Sequence, residues 1–419
     1  MSFFASRWVP CPSHVAVADE DGAALPAGFR AGAAAAGLKV DGMLDVGLLV
    51  CDSQDAVSAM RFTRSGVLAA PVIVTLQRTR AAGLRVIAAN SGNANAATGL
   101  PGLDVAIAMQ AAAARAAGVQ PDQVAVASTG VIGVPLDAER VGAALARAAE
   151  KLHGAGGDEL TEAIMTTDAF AKRASLSVKL PSGTVRLCAQ AKGAGMIEPS
   201  FATMLCFVET DAQLAPETAD LLLGVCVKRS FDRISVDGQL STNDTAILIC
   251  SGASGVVVQP ESEDEVRFGE ALDALLRMLA IMIVRDGEGA KRICRVIVRG
   301  GHAGSVERCA RAIANSPLVK TALHGADPNW GRIAQAVGAA IRRVGSDLTP
   351  LALDIAIEGI PVCVNGAAVA HDEDVLRAAA AGVEIEYEVA IGPTHPAETE
   401  VFFSDLSHEY VTINAEYTT

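Results

Sequence analysis

Lys192-Gly-Ala-Gly-Met-Ile-Glu-Pro-Ser-Phe-Ala-Thr203-Met-Leu-Cys-Phe-Val-Glu-Thr-Asp211 runs a glycine segment into an apolar stretch. Gly193 and Gly195 open backbone conformations closed to other residues, and Pro199 fixes φ shortly before Thr203. Met204 to Val208 is a short continuous apolar run that reads as a buried strand. A hydroxyl is therefore delivered to the start of a strand by a segment that can bend tightly. That arrangement suits a self-processing threonine. Thr203 Oγ1 attacks the carbonyl of Ala202, an ester forms, and water cleaves it. The freed α-amine, with an ordinary pKa of about 7.7–8.0, can then serve as base for its own hydroxyl. An Ala-Thr pair ahead of an apolar strand is common, however, and by itself carries little weight.

Working outward, Val124 to Ala127 reads as a buried strand leading into Ser128-Thr129-Gly130-Val-Ile-Gly133. A threonine hydroxyl and an adjacent backbone N–H can aim two donors at one point, as a tetrahedral oxyanion requires. Glu288 stands between two glycines in Arg285-Asp-Gly-Glu-Gly289, so its carboxylate can approach a ligand without crowding. Alone, such a carboxylate is more often a solvated loop residue. Thr166, Thr167 and Asp168 form a polar helix-end cluster able to cap backbone groups. Lys192 is a compact cation that can hold a carboxylate or lower the pKa of a nearby nucleophile.

Separated strings occur in one order: Asn90 to Gly99, Ala127 to Gly133, Ile164 to Asp168, Lys192 to Leu205, Ser241 to Thr245, Asp286 to Gly289, and Asp327-Pro-Asn-Trp-Gly331. Together they resemble the ornithine acetyltransferase family, self-cleaving glutamate N-acetyltransferases of arginine biosynthesis. The resemblance is strong from Asn90 to Thr419 and weaker from Gly28 to Pro71. It implies an α/β fold of stacked helix and sheet layers with an N-terminal threonine nucleophile. Residues 1–202 would become an α chain and 203–419 a β chain. It further implies Thr203 as nucleophile, Thr129 and Gly130 as oxyanion hole, and Thr166, Lys192, Thr203, Glu288, Asn414 and Thr419 as substrate contacts. The reaction implied is acetyl transfer from N2-acetyl-ornithine to glutamate, with no metal and no bound cofactor. Acetyl-CoA as a further donor is left open, and an assembly of two α and two β chains is expected.

Composition narrows the other classes. The 419 residues are 51% hydrophobic and 20% charged, which suits a protein with well-buried cores. A formal charge of −14 speaks against a nucleic-acid or anionic-membrane surface. The N-terminus lacks a basic region followed by a long apolar one, and no apolar window reaches the roughly 20 residues of a membrane span, so a cytoplasmic protein is expected. Nine cysteines without a Cys-x-x-Cys pair argue against a zinc site or a disulfide framework. Cys206 reads as a small buried hydrophobe. Two alternatives stand beside acetyl transfer: a self-cleaving amide hydrolase or aminopeptidase, in which water resolves the acyl-enzyme, and a non-catalytic small-molecule binder. Elsewhere, Val72 to Leu76 reads as a β-type run, and the β-rich tail Tyr410 to Thr419 is expected to be tied down over the site.

Overall fold

The computed structural model describes residues 3–18, 24–40, 42–198, 204–341, 350–392 and 397–416. The apolar run after Thr203 becomes the strand Leu205–Thr210, buried at every position. It lies inside a six-stranded sheet, antiparallel to Gly183–Lys192 on one side and parallel to Thr245–Cys250 on the other. A strand covered on both faces has no polar side to alternate with, hence its continuous apolar sequence. Leu205 and Phe207 face a core shared with a second, four-stranded sheet, built from Phe29–Ala34, Val46–Cys51, Val86–Asn90 and Val124–Ser128. Cys206 and Val208 face the opposite core, closed by the helices Pro216–Arg229 and Glu263–Arg285. The outer face of the four-stranded sheet is covered by Ala70–Arg78, Gly99–Ala117 and Ala138–Glu150. The order of layers is thus helices, sheet, sheet, helices, the stacked α/β arrangement expected.

A seven-stranded mixed sheet forms a second core with the helices Ala303–Ala314, Pro317–His324 and Trp330–Ala340. Trp330 packs against that core from the Asp-Pro-Asn-Trp-Gly turn, as a staple. No helix among the described residues is long and apolar enough to cross a membrane. Cys206 is buried at 0% exposure and burial raises its thiol pKa, the behaviour of a core residue.

Two local readings are corrected. Val72 to Leu76 lies within the helix Ala70–Arg78, with Pro71 in its first turn, where a missing N–H costs nothing. That helix runs beside the edge strand Val124–Ser128. Thr75 Oγ1 donates to the Val126 carbonyl at 2.9 Å and accepts the Val126 N–H at 3.0 Å, and Thr79 Oγ1 donates to the Val124 carbonyl at 2.9 Å. The β-branched residues that mimic a strand are therefore used to cover a sheet edge. The tail forms the helix His408–Glu416 rather than a strand. Ser407 Oγ accepts the Tyr410 N–H at 3.2 Å, and a Cβ on Gly289, at φ +71°, would stand 2.6 Å from Glu409 Cβ. Docking on that glycine overrides the weak β preference of residues 411–413.

Candidate active site

The Gly183–Lys192 and Leu205–Thr210 strands pair with Lys192 opposite Leu205, so the end of one and the start of the other lie side by side. A cavity of about 200 Å³ opens there. It brings together Thr129, Gly130, Thr166, Lys192, Glu288 and Asn414, six of the residues singled out in the sequence. Pro199, Ala202, Thr203 and Thr419 lie outside the described residues. Met204, the residue after Thr203, is held by its peptide: its N–H donates to Asp244 Oδ1 at 3.0 Å and its carbonyl accepts the Thr245 N–H at 3.0 Å.

Thr129 and Gly130 leave the end of the Val124–Ser128 strand over the Asn-rich loop. Thr129 N–H donates to the Asn90 carbonyl at 3.0 Å, and Ser128 Oγ donates to Asn90 Oδ1 at 2.6 Å. Asn90 Nδ2 in turn donates to the Asn93 carbonyl at 2.8 Å, and Asn93 Oδ1 accepts the Asn95 N–H at 2.8 Å. The loop is a hydrogen-bonded seat for Thr129. Gly130 has φ +129°, and a Cβ there would stand 2.4 Å from the Gly92 carbonyl carbon, so the position admits only glycine. Its N–H meets no acceptor among the described residues. Lys192 Nζ donates to Thr129 Oγ1 at 3.1 Å, which leaves the hydroxyl's own proton free to point into the cavity.

Lys192 belongs to a buried charge cluster. Burial pushes its ammonium pKa down, and the Asp168 carboxylate opposes that shift. Asp168 Oδ1 accepts from Lys172 Nζ at 2.7 Å and from Gly193 N–H at 2.7 Å, while Oδ2 accepts the Thr166 N–H at 2.9 Å. Burial would raise the pKa of Asp168, but Lys172 and Lys192 outweigh it and hold the carboxyl well below the ordinary range. Lys172 Nζ also donates to Asp286 Oδ2 at 2.5 Å. Asp286 has its pKa raised by burial, with the Lys172 charge opposing. One carboxylate thus ties the Thr166 segment to the glycine segment. Asp168 caps the Thr166 N–H just past the helix end, and Thr166 and Thr167 line the cavity.

On the opposite wall, the Glu288 carboxylate lies against Gly195, where an added Cβ would be 2.6 Å from Glu288 Oε1. Glu288 N–H donates to the Ala194 carbonyl at 3.1 Å, and Asn414 Nδ2 donates to Glu288 Oε2 at 2.6 Å. Tyr410 Oη donates to Asp237 Oδ2 at 3.3 Å. Asp237 also accepts the N–H groups of Met196 and Ile197 at 2.7 and 2.9 Å, which stabilises the positive φ of +57° at Met196. Gly195→Ala should therefore drive Glu288 out of place. Binding of a ligand whose ammonium meets Glu288 is expected to weaken about 10-fold or more, the loss of roughly one charge-assisted hydrogen bond. A binding titration with an amino acid checks this, and an unchanged affinity would refute the contact.

Sequence reading did not single out Asp237, Asp244, Lys172, Asp286 or Tyr410 as site residues. The available signal was position: an acid directly before a glycine at Asp237 and Asp286, and one just ahead of an apolar strand at Asp244. Their partners come from distant parts of the chain, and no local pattern shows that.

The ArgJ family profile matches residues 30–419. The arginine biosynthesis bifunctional protein ArgJ of Symbiobacterium thermophilum is 42% identical over 405 residues, covering 95% of this chain and 98% of that protein. The chain belongs to the ArgJ family. ArgJ of Rhodopirellula baltica is 41% identical over 416 residues, covering 98% of each protein. A crystal structure of Mycobacterium tuberculosis ornithine acetyltransferase complexed with ornithine is 38% identical, with a TM-score of 0.41 over 44% of this chain and 98% of that one. ArgJ membership makes this chain an enzyme of arginine biosynthesis in the acyltransferase class.

Proposed function

We propose that the protein transfers an acetyl group from N2-acetyl-L-ornithine to L-glutamate through an acetyl-threonine at Thr203, after cutting itself between Ala202 and Thr203. What supports this most is the convergence of Thr129, Gly130, Thr166, Lys192, Glu288 and Asn414 on one cavity beside Met204. In the cut, Thr203 Oγ1 adds to the Ala202 carbonyl, the C–N bond breaks and its nitrogen takes the proton; water then hydrolyses the ester. In the transfer, the α-amine of Thr203 removes the hydroxyl proton, Oγ1 attacks the acetyl carbonyl, and ornithine leaves with a proton. Glutamate then enters as its free amine and takes the acetyl group, in ping-pong order. Thr129 Oγ1 and Gly130 N–H would hold the oxyanion in each step.

A buried cation and a carboxylate in one cavity suit substrates that carry both signs, as amino acids do. Lys192, Thr166 and Thr419 would contact the carboxylate end, and Glu288, steadied by Asn414, an ammonium. The cavity of about 200 Å³ is below the roughly 300–1,000 Å³ of drug-sized sites, and suits a small acetylated amino acid. Acetyl-CoA, if it is a donor, would leave most of its length outside. The reading needs no metal or bound cofactor, and it places the enzyme in the cytoplasm.

After the cut, residues 1–202 and 203–419 would stay associated. All six residues of the Leu205–Thr210 strand are buried between partners from both halves. Each large apolar side chain there contributes about 1.5–3 kcal/mol. Two such α/β pairs would form the complete enzyme.

Mass and N-terminal sequencing of purified, active protein test the reading. A β chain beginning Thr-Met-Leu-Cys is expected, with parallel lines in double-reciprocal plots for acetyl-ornithine and glutamate. Active protein without that N-terminus would sink it. Ornithine release that runs equally fast without glutamate would point to a hydrolase instead. Thr129→Val should lower kcat about 10²–10³-fold with little change in KM, the loss of one oxyanion donor; a kcat within a few-fold of wild type would remove Thr129 from that role.

A further inference from the structure

Glu209 shares a face of the strand Leu205–Thr210 with Leu205 and Phe207, and Gln190 of the strand Gly183–Lys192 stands opposite Phe207 on that same face. Both side chains are buried between the two sheets, Gln190 at 3% and Glu209 at 0% exposure. Gln190 Nε2 donates to Glu209 Oε2 at 3.1 Å. The remaining oxygen of each, Gln190 Oε1 and Glu209 Oε1, is buried with no hydrogen-bond partner among the described residues. Two acceptors left over within one bonded pair are costly unless a proton stands between them. Among the described residues no cation supports this carboxyl: burial, the Gln190 amide and the backbone N–H of Glu209 itself are what act on it. That N–H belongs to a strand paired on both sides, where the ladder uses it.

We propose that Glu209 is an un-ionised acid in the folded protein at neutral pH: Glu209 Oε1 carries a proton and donates it to Gln190 Oε1, closing an acid–amide pair between the two strands. One proton fills both vacancies. Exchanging the oxygen and nitrogen of the Gln190 amide gives the same pair with the proton on the other carboxyl oxygen. The inference goes beyond the proposed reaction and does not depend on it. The pair is a latch with an alkaline limit: once the proton is lost, a bare carboxylate faces a carbonyl oxygen in an apolar layer. Burial pushes the Glu209 pKa well above the ordinary carboxylate range, past the unfolded value of about 4.3. The folded protein therefore holds an extra proton between those two values, so this contribution is full below about pH 4.3 and is lost as pH rises toward the folded value. On the same face, Arg186 and Asp211 stand at one end and Lys192 at the other. Arg173, opposite Gln190 on the strand Lys172–Leu180, is paired with Asp158 of the helix Gly157–Ile164. Ile247 and Ile249 of the neighbouring strand bring no charge, the four-stranded sheet contributes Cys51, and Cys188 and Cys206 lie beside the acid and on the reverse face.

Thermal unfolding of the wild-type protein and Glu209→Gln, at one protein concentration and from about pH 5.5 to about pH 8.5, tests the latch. Glutamine rebuilds the pair without a titrating proton, its NH₂ donating to Gln190 Oε1. The variant is expected to unfold at the higher temperature, and its advantage to widen with pH, by about tenfold in the unfolding constant per pH unit. A gap that stays constant across that range overturns the proposal, because it means that Glu209 is already ionised in the folded protein. A Glu209→Gln chain that fails to fold overturns it too, since an amide reproduces what the un-ionised acid does there. Infrared spectra of the folded proteins at about pH 8 give an independent readout. The carbonyl stretch of an un-ionised carboxylic acid, sensitive to exchange into D₂O, is expected in the wild-type protein and should be missing from the difference left by Glu209→Gln. A wild-type spectrum without that band overturns the proposal whatever the variant does.

Discussion

Thr203→Ala should purify as one uncut chain of about 43.0 kDa with no acetyl transfer. Alanine removes the oxygen that would attack the Ala202 carbonyl, so no ester forms and no α-amine is freed. Nucleophile and base are lost together in one substitution. Removing a covalent nucleophile costs on the order of 10⁴-fold or more in kcat. The chain should still fold, because the strand that follows is held by its own burial and by the hydrogen bonds of the Met204 peptide groups. Intact mass and the acetyl-ornithine assay check this together. Two chains from Thr203→Ala would refute self-cleavage by this hydroxyl, and residual transfer near the wild-type rate would refute the acetyl-threonine.

The second large effect is on stability. Asp168→Ala should destabilise the protein by about 3–5 kcal/mol, since breaking a buried ion pair leaves a desolvated charge uncompensated. Lys172, at 0% exposure, would keep Asp286 as its carboxylate partner along with the Phe170 carbonyl, and Lys192 would lose the carboxylate that most favours its charged form. The N–H groups of Thr166 and Gly193 would lose their acceptor as well. The acid response has a definite sign. The folded-state pKa of Asp168 is depressed, so its contribution is fully present above the unfolded value of about 3.9 and is lost as pH falls toward the folded value. Asp168→Asn, which keeps an acceptor but not the charge, should therefore lose part of the acid-induced fall in stability. Urea or thermal unfolding of the two variants from pH 7 down to pH 3 checks both statements. A variant within about 1 kcal/mol of wild type would show that the cluster does not hold the cavity walls together.

Much of the architecture was legible residue by residue. Gly118 ends the helix Gly99–Ala117 in a left-handed conformation at φ +68°, as a glycine after an alanine-rich run suggests. Residues 264–284 carry the spacing of an amphipathic helix and form Glu263–Arg285, and the run after Thr203 forms a central strand. These are cases in which local preference and burial agree. Val72 to Leu76 and the tail show where they do not. In both, β-branched residues form a helix because a neighbouring surface, a sheet edge in one and Gly289 in the other, outweighs a preference of a few tenths of a kcal/mol per residue.

Residue type and order by themselves determined which groups could take part: a threonine at the head of an apolar run, a threonine-glycine junction, a lysine before a flexible segment, a carboxylate between glycines and an amide near the chain end. Only the tertiary structure decided that Thr129, Gly130, Thr166, Lys192, Glu288 and Asn414 share one cavity, and that Asp168, Asp237 and Asp244 hold its walls. Hydrogen bonds and ion pairs between segments tens to hundreds of residues apart leave no periodic trace along the chain. Their partners are chosen by how the layers stack, since a buried charge persists only where folding brings it an opposite one.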